Sequence, residues 1–299
     1  MKGDKLLIVD FYALFNRARA ALKRTTGGLT TSDGKPTTGA YGFVNNLLST
    51  IDSIRPSHVV VCYDAGGNWR KESSEEYKAN RLKEDDEESA AFKFEATLAL
   101  DEILPVLGIE AVGIRGYEAD DAIYTLSKDA IGFDEVVILT CDQDILQCVS
   151  DKVKVLLFNS AKKVSLMGIS EVQEKWGVLP PHVALVKALS GDSSDNIKGI
   201  RGIGQKTASQ IVIESYGILD NILKHPKVKD HKEKVKANLN LIRPTYVTEL
   251  ESTDFSDFAL GNGIVEDTRE TFSSLEFNTL AKRIKKISQN LKLKSLTEA

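Results

Sequence analysis

Asp192 and Asp195 stand three residues apart in GDSSDNIKGIRGIGQKTA (191–208), directly before Gly199, Gly202, Gly204 and Lys206. A carboxylate pair that abuts a glycine-punctuated basic run suggests a cation site joined to an anion-gripping turn. More acids fall at comparable places. Asp10 ends KLLIVD, Asp64 ends HVVVCYD, and Asp142 ends EVVILTCD, with Asp144 following at once. GYEADDAI adds Glu118, Asp120 and Asp121 at an expected helix start. One strand-end aspartate is most simply a helix cap. Three such aspartates, with Asp144 beside the last, point to a shared site.

These nine carboxylates would repel one another and raise each other's pKa unless cations lay between them. No histidine accompanies the motifs, so all-oxygen ligation favours Mg²⁺ or Mn²⁺ over Zn²⁺. Two such ions about 4 Å apart can hold the attacking and leaving oxygens of a phosphoryl displacement.

The elements that must carry these acids alternate. Apolar runs at 5–10, 58–64, 109–116, 135–142 and 153–159 read as strands covered on both faces. Helical patterns fill 39–54, 92–108 and 119–132. The alternation predicts an α/β fold with a mostly parallel central sheet flanked by helices. Such a sheet carries its ligand crevice at the carboxyl ends of the strands. The strand signal fades near residue 170, so the expected division is an α/β core over 1–170 and an α-helical module over 171–299.

The chain has 299 residues, 42% hydrophobic and 27% charged, as in ordinary globular proteins. Three cysteines without a CxxC pair argue against a disulfide framework or a zinc knuckle. The apolar stretch before Asp10 is too short for a signal peptide, and no run approaches a membrane span. A cytoplasmic protein is expected, without a membrane partner. Net charge is −4, but residues 198–236 hold nine Lys/Arg against four Asp/Glu, and 282–294 hold basic residues and no acid. Segregated charge of this kind fits separate anion-binding and cation-binding regions.

The segments LTTSDGKPTTGAYGFVNNLL, EEYKANR, GYEADDAI, LTCDQDILQCVSD and GDSSDNIKGIRGIGQKTA together resemble the 5′ nucleases of bacteria and bacteriophages. That family includes the N-terminal 5′→3′ exonuclease domain of bacterial DNA polymerase I and the phage flap endonucleases. The resemblance runs from about residue 5 to about residue 284. It implies a PIN-like core, a helical arch at about 66–95 and a helix–three-turn–helix at about 185–215.

By position, the resemblance implies two metal groups. Asp64, Glu118, Asp120 and Asp121, with Asp10 beside them, form the first; Asp142, Asp144, Asp192 and Asp195 form the second. It also implies that Lys78 and Arg81 contact the scissile phosphate and that Tyr77 stacks on a base. Lys187, Lys198, Gly202, Gly204 and Lys206 would face DNA, with K⁺ at the glycine-rich turn. The expected activity is Mg²⁺-dependent removal of 5′ flaps and 5′ ends from DNA by a monomer, with RNA primers left open as further substrates. No polymerase domain is expected to follow, and coupling to synthesis would then come from a separate polymerase. The rival expectation is a non-catalytic binder of branched DNA, which the full set of nine acids disfavours.

Overall fold

The computed structural model describes residues 4–80, 86–160, 163–260 and 267–291. Strand β1 (Lys5–Asp10) leads directly into α1 (Phe11–Thr26), and α2 (Thr38–Ile54) precedes β2 (His58–Cys62). The crossover to β3 (Glu110–Val112) carries α3 (Trp69–Ser73) and α4 (Asp86–Thr97). It continues through a π-helical stretch, Leu98–Ile103, into α5 (Leu104–Val106). Then come α6 (Ala119–Asp129), β4 (Glu135–Thr140), a 3₁₀ turn at Asp144–Cys148, β5 (Val153–Ser160) and β6 (Lys163–Met167). The remaining elements are α7 (Ile169–Trp176), α8 (Val183–Ser190), the short pair β7 (Gly191–Asp192) and β8 (Ile197–Lys198), and α9 (Gln205–Glu214). They are followed by α10 (Leu219–Ile222), α11 (Lys232–Ile242), α12 (Asp267–Ser274) and α13 (Asn278–Leu291).

The six-stranded sheet runs β3-β2-β1-β4-β5-β6, with every pair parallel except β5–β6. Its order reverses between β1 and β4, which opens the crevice at their carboxyl ends. Side chains alternate across the central strands. Leu7, Val9, Val59, Val61, Val137 and Leu139 face α1 and α2. Leu6, Ile8, Val60, Cys62, Val136 and Ile138 face the opposite side, where α6 supplies Ile123 and Leu126. That second cluster continues without a break through α8, α9 and α11 to Phe258. The helical region is thus packed onto the sheet rather than tethered to it.

Several expectations need adjustment. Helix α1 was not anticipated, because Asp10 serves at once as strand end and helix cap, accepting from the Ala13 N–H at 3.3 Å. The expected strand at 109–116 contracts to Glu110–Val112, and the one at 58–64 ends at Cys62. The antiparallel edge strand β6 was also missed, since its polar–apolar alternation spans only five residues. The helical pattern at 92–108 begins earlier and becomes π-helical before Pro105, which has no N–H to give. The two last helices, expected in the helical module, pack on the α/β core instead. Phe272, Phe277, Leu280 and Ile284 join the cluster under α2, and Arg283 Nη1 donates to Asn45 Oδ1 at 2.7 Å. No helix among the described residues is long and apolar enough to cross a membrane.

Candidate active site

The acids meet at the carboxyl ends of β1, β2 and β4. Asp10 is buried at the end of β1, where the Thr140 hydroxyl donates to its Oδ2 at 2.6 Å. Asp64, two residues past β2, accepts from the Ala119 N–H at 2.7 Å and so pins the start of α6. Asp142 follows β4 and accepts from the Asp144 N–H at 2.8 Å. Asp192 ends β7 and Asp195 lies on the turn to β8, both buried.

Two lysines sit among these acids. Lys78 has a left-handed backbone (φ 56°), and its N–H donates to the Asp195 carbonyl at 3.0 Å. Its ammonium lies 2.5 Å from Glu118 Oε1 and 3.8 Å from Asp195 Oδ2. Lys187, on the last turn of α8, reaches Asp192 Oδ2 at 2.7 Å and also contacts Asp144. Lys187, expected to face DNA, is 7% exposed and lines the cleft rather than the outer surface. A side chain near the carboxyl end of α8 points back along the helix into the cleft.

Tyr77 departs from its expected stacking role. Its side chain is 4% exposed, and its hydroxyl donates to Glu118 Oε2 at 2.9 Å and Asp195 Oδ2 at 3.2 Å. The ring therefore has no open face for a base here. The same contacts place Asp195 beside Glu118, across the expected division into two groups. Asp121 is fully buried, and its carboxylate is already occupied. Both of its oxygens take the Arg70 guanidinium, each at 2.7 Å. Arg81 lies outside the described residues.

Charge in the cleft is unevenly balanced. Burial, with the Asp142 and Asp64 charges, pushes Asp10 up to about 7 despite its Thr140 bond. Burial and the charges of Asp142 and Asp10 likewise hold Asp120 well above the usual carboxylate range. Burial also opposes ionisation of Glu118 and Asp192, but Lys78 and Lys187 outweigh it and both lie below their ordinary values. The two lysines thus neutralise the flanks while Asp10, Asp120 and Asp142 still repel one another. Among the described residues no three carboxylate, imidazole or thiol groups stand close enough to hold a metal ion as they are. The donor chemistry nonetheless fits a hard divalent cation, because the residual repulsion lies between oxygen ligands alone.

A cleft of about 470 Å³ opens beside Asp142, Lys187 and Asp192 and is also lined by Trp176 and Gln205. Trp176 and Gln205 also border a second groove, which holds Gly204 and Lys206. The expected grip and the acids are therefore neighbours across one wall. The glycines divide by role. Gly191 and Gly199 pack on each other's backbone: a Cβ on Gly199 would stand 2.2 Å from the Ser190 carbonyl carbon. Gly202 (φ 85°) and Gly204 border open space instead, and Lys206 and Lys198 are exposed, with Lys198 3.5 Å from Glu76. Sequence reasoning missed Arg70, Asn68 and Thr140. Asn68 caps α3 and donates to Glu118 Oε1 at 2.7 Å. No spacing or composition distinguishes these residues before the chain is folded.

A mostly parallel sheet with acids along its carboxyl edge, joined to a helical SAM-like module, is the fold of the 5′ nucleases. The protein described as phage T5 D15, co-crystallised with metal ions, superposes with a TM-score of 0.65 at 22% identity, covering 96% of this chain and 99% of that one. Residues 5–177 match the family model for the 5′-3′ exonuclease N-terminal resolvase-like domain, and 178–248 match the 5′-3′ exonuclease C-terminal SAM fold. The chain belongs to the 5′-3′ exonuclease family and is a nuclease. The 5′-3′ exonuclease of Bacillus subtilis is 36% identical over 227 residues, 75% of each chain. The thermostable DNA polymerase I of Thermus thermophilus is 37% identical over 92% of this chain, but this chain spans only 32% of that polymerase.

Proposed function

We propose that this nuclease hydrolyses phosphodiester bonds at the 5′ ends and 5′ flaps of branched or duplex DNA, with divalent cations as cofactors. The observation that carries this reading is the shared wall of Trp176 and Gln205, with acids on one side and the Gly204–Lys206 helix start on the other. A phosphate held at the amino end of α9 would meet backbone N–H groups and Lys206 together. Duplex bound there would run toward the acids, so the grip would set where the cut falls. The phage T5 flap endonuclease crystallised with DNA and metal ions lends support by its shared fold.

Asp10, Asp64, Glu118, Asp120 and Asp142 would hold one cation, and Asp144, Asp192 and Asp195 a second. Bound there, such ions supply positive charge to the attacking and leaving oxygens of the displacement. Asp121 is left out of the ligand set, because its oxygens are engaged by Arg70. Lys78 stands among the acids, where its charge would offset what develops on the reacting phosphate. Mg²⁺ is the proposed ion, with Mn²⁺ as substitute, and the protein would act as a monomer alongside a separate polymerase.

A 5′-labelled flap and a matched blunt duplex, incubated with Mg²⁺ and then with EDTA, test the reading. Short labelled products from the flap in Mg²⁺ alone are expected. Cleavage that persists in EDTA, or a flap left intact in Mg²⁺, defeats it.

A further inference from the structure

Arg70 is the largest fully buried side chain among the described residues, 2% exposed, and it lines a small recess behind Glu118, Asp120 and Asp195. Its guanidinium joins three separate elements. Two donors meet the Asp121 carboxylate in the first turn of α6, 2.7 Å each. The other contacts reach the end of α11: Nε donates to the Leu241 carbonyl at 2.9 Å, and Nη2 to the Arg243 carbonyl at 2.8 Å. Arg70 itself belongs to α3, on the crossover that also carries Tyr77 and Lys78. Asp121 completes the junction by accepting from the Glu118 N–H at 3.1 Å and the Thr245 N–H at 2.6 Å. Arg70 also lies 3.7 Å from Glu118, and its guanidinium sits over the Trp69 ring at 4.6 Å.

We propose that Arg70 is a positioning residue: through Asp121 it fixes the start of α6, and hence Glu118 and Asp120, against both the β2–β3 crossover and the helical module. This rests on the metal-dependent reading above and deepens it. Burying an arginine costs far more than a solvated one unless every donor is engaged and a carboxylate is opposite. Here the pairing is bidentate and the spare donors meet carbonyls that end a helix. Lysine keeps the charge but cannot bridge Asp121 and two carbonyls at once. Asp121 therefore serves the arginine and two backbone N–H groups, and reaches the cation only through the ligands it orients. Groups that orient metal ligands typically change metal affinity by about 10–100-fold when removed.

The test uses Arg70→Lys and Asp121→Asn in the full chain, with two readouts other than activity. The first is amide hydrogen exchange without metal. The Glu118 and Thr245 N–H groups, both bonded to Asp121, should exchange at least about tenfold faster in either variant, while the β1 and β4 amides keep their protection. The second is Mn²⁺ binding by electron paramagnetic resonance. Both variants should retain the wild-type number of ions at about tenfold weaker affinity. Arg70→Lys/Asp121→Asn should be no weaker than either single change, as expected of one unit. If Arg70→Lys does not fold, Arg70→Met/Asp121→Leu, which replaces the ion pair with apolar volume, is read in the same two ways. Exchange and affinity both at wild-type values would overturn the proposal. So would an Asp121→Asn that loses a whole ion while Arg70→Lys retains it, since Asp121 would then be a ligand. A wild-type protein that binds no Mn²⁺ would defeat the metal reading itself, and the exchange data would still decide the role of Arg70.

Discussion

Lys187 lies between Asp144 and Asp192, two acids from different elements, with its ammonium 2.7 Å from Asp192 Oδ2. An internal cation there makes Lys187 part of the charge balance of the cleft rather than of its outer surface. Lys187→Met should destabilise the metal-free protein by about 3 kcal/mol, because two buried carboxylates lose their partner. Added Mg²⁺ should recover much of that loss in a thermal melt. The salt dependence of DNA binding should stay at its wild-type slope. A slope shallower by about one contact would return Lys187 to a DNA-facing role.

Lys206 and Lys78 carry equal charge but stand in different surroundings. Lys206 is exposed at the start of α9, and Lys78 is half-buried against Glu118. Lys206→Ala should raise KM with kcat unchanged and lower the salt slope by about one. Lys78→Ala should lower kcat, since its charge matters most as the phosphate reacts. Single-turnover rates at saturating enzyme separate the two. Equal slowing in both variants would contradict the division between grip and chemistry.

Asp10 gives the metal-free protein a distinctive pH dependence. Its carboxyl has an ordinary value of 3.8 and sits near 7 when folded, so between those values the folded chain holds a proton that the unfolded chain has released. Stability from this group is complete below about 4, declines as pH rises toward 7, and stays lost above it. A divalent cation competes with the same proton. The gain in Tm on adding Mg²⁺ should therefore be larger at pH 8 than at pH 5.5. An equal gain at both would place the cation away from Asp10.

Gly199 and Gly202 should respond differently to the same methyl group. Gly199→Ala would drive a Cβ into the Ser190 backbone, with an expected cost of about 3 kcal/mol or more. Gly202→Ala meets only open space at a positive φ, which costs about 1 kcal/mol. Urea unfolding of the two variants distinguishes them. Comparable midpoints would mean that the backbone contact of Gly199 with Ser190 and Gly191 yields where the geometry says it cannot.

The central strands were legible in the sequence because each is an apolar run long enough to be covered on both faces. β1 and β5 were placed to within a residue, and β4 was right at its start. The acids were legible because they sit at the ends of those runs. What stayed hidden depended on packing between distant segments. Arg70 looks like any surface arginine in NWRKESS until α6 and the end of α11 close around it. Lys187 reads as a basic surface position until α8 turns it inward. The last two helices look like the tail of a helical module, and only Phe272 and Phe277 docking under α2 reveals where they belong.

The β2–β3 crossover joins two neighbouring strands at one side of the sheet, yet it bears Lys78, Tyr77 and Arg70. A connection so placed can change length without shifting the register of β1 and β4, where Asp10 and Asp142 are fixed. Length can therefore vary between its tethers, while the tethers themselves, Lys78 and Tyr77 on Glu118 and Arg70 on Asp121, hold the crossover to the acids.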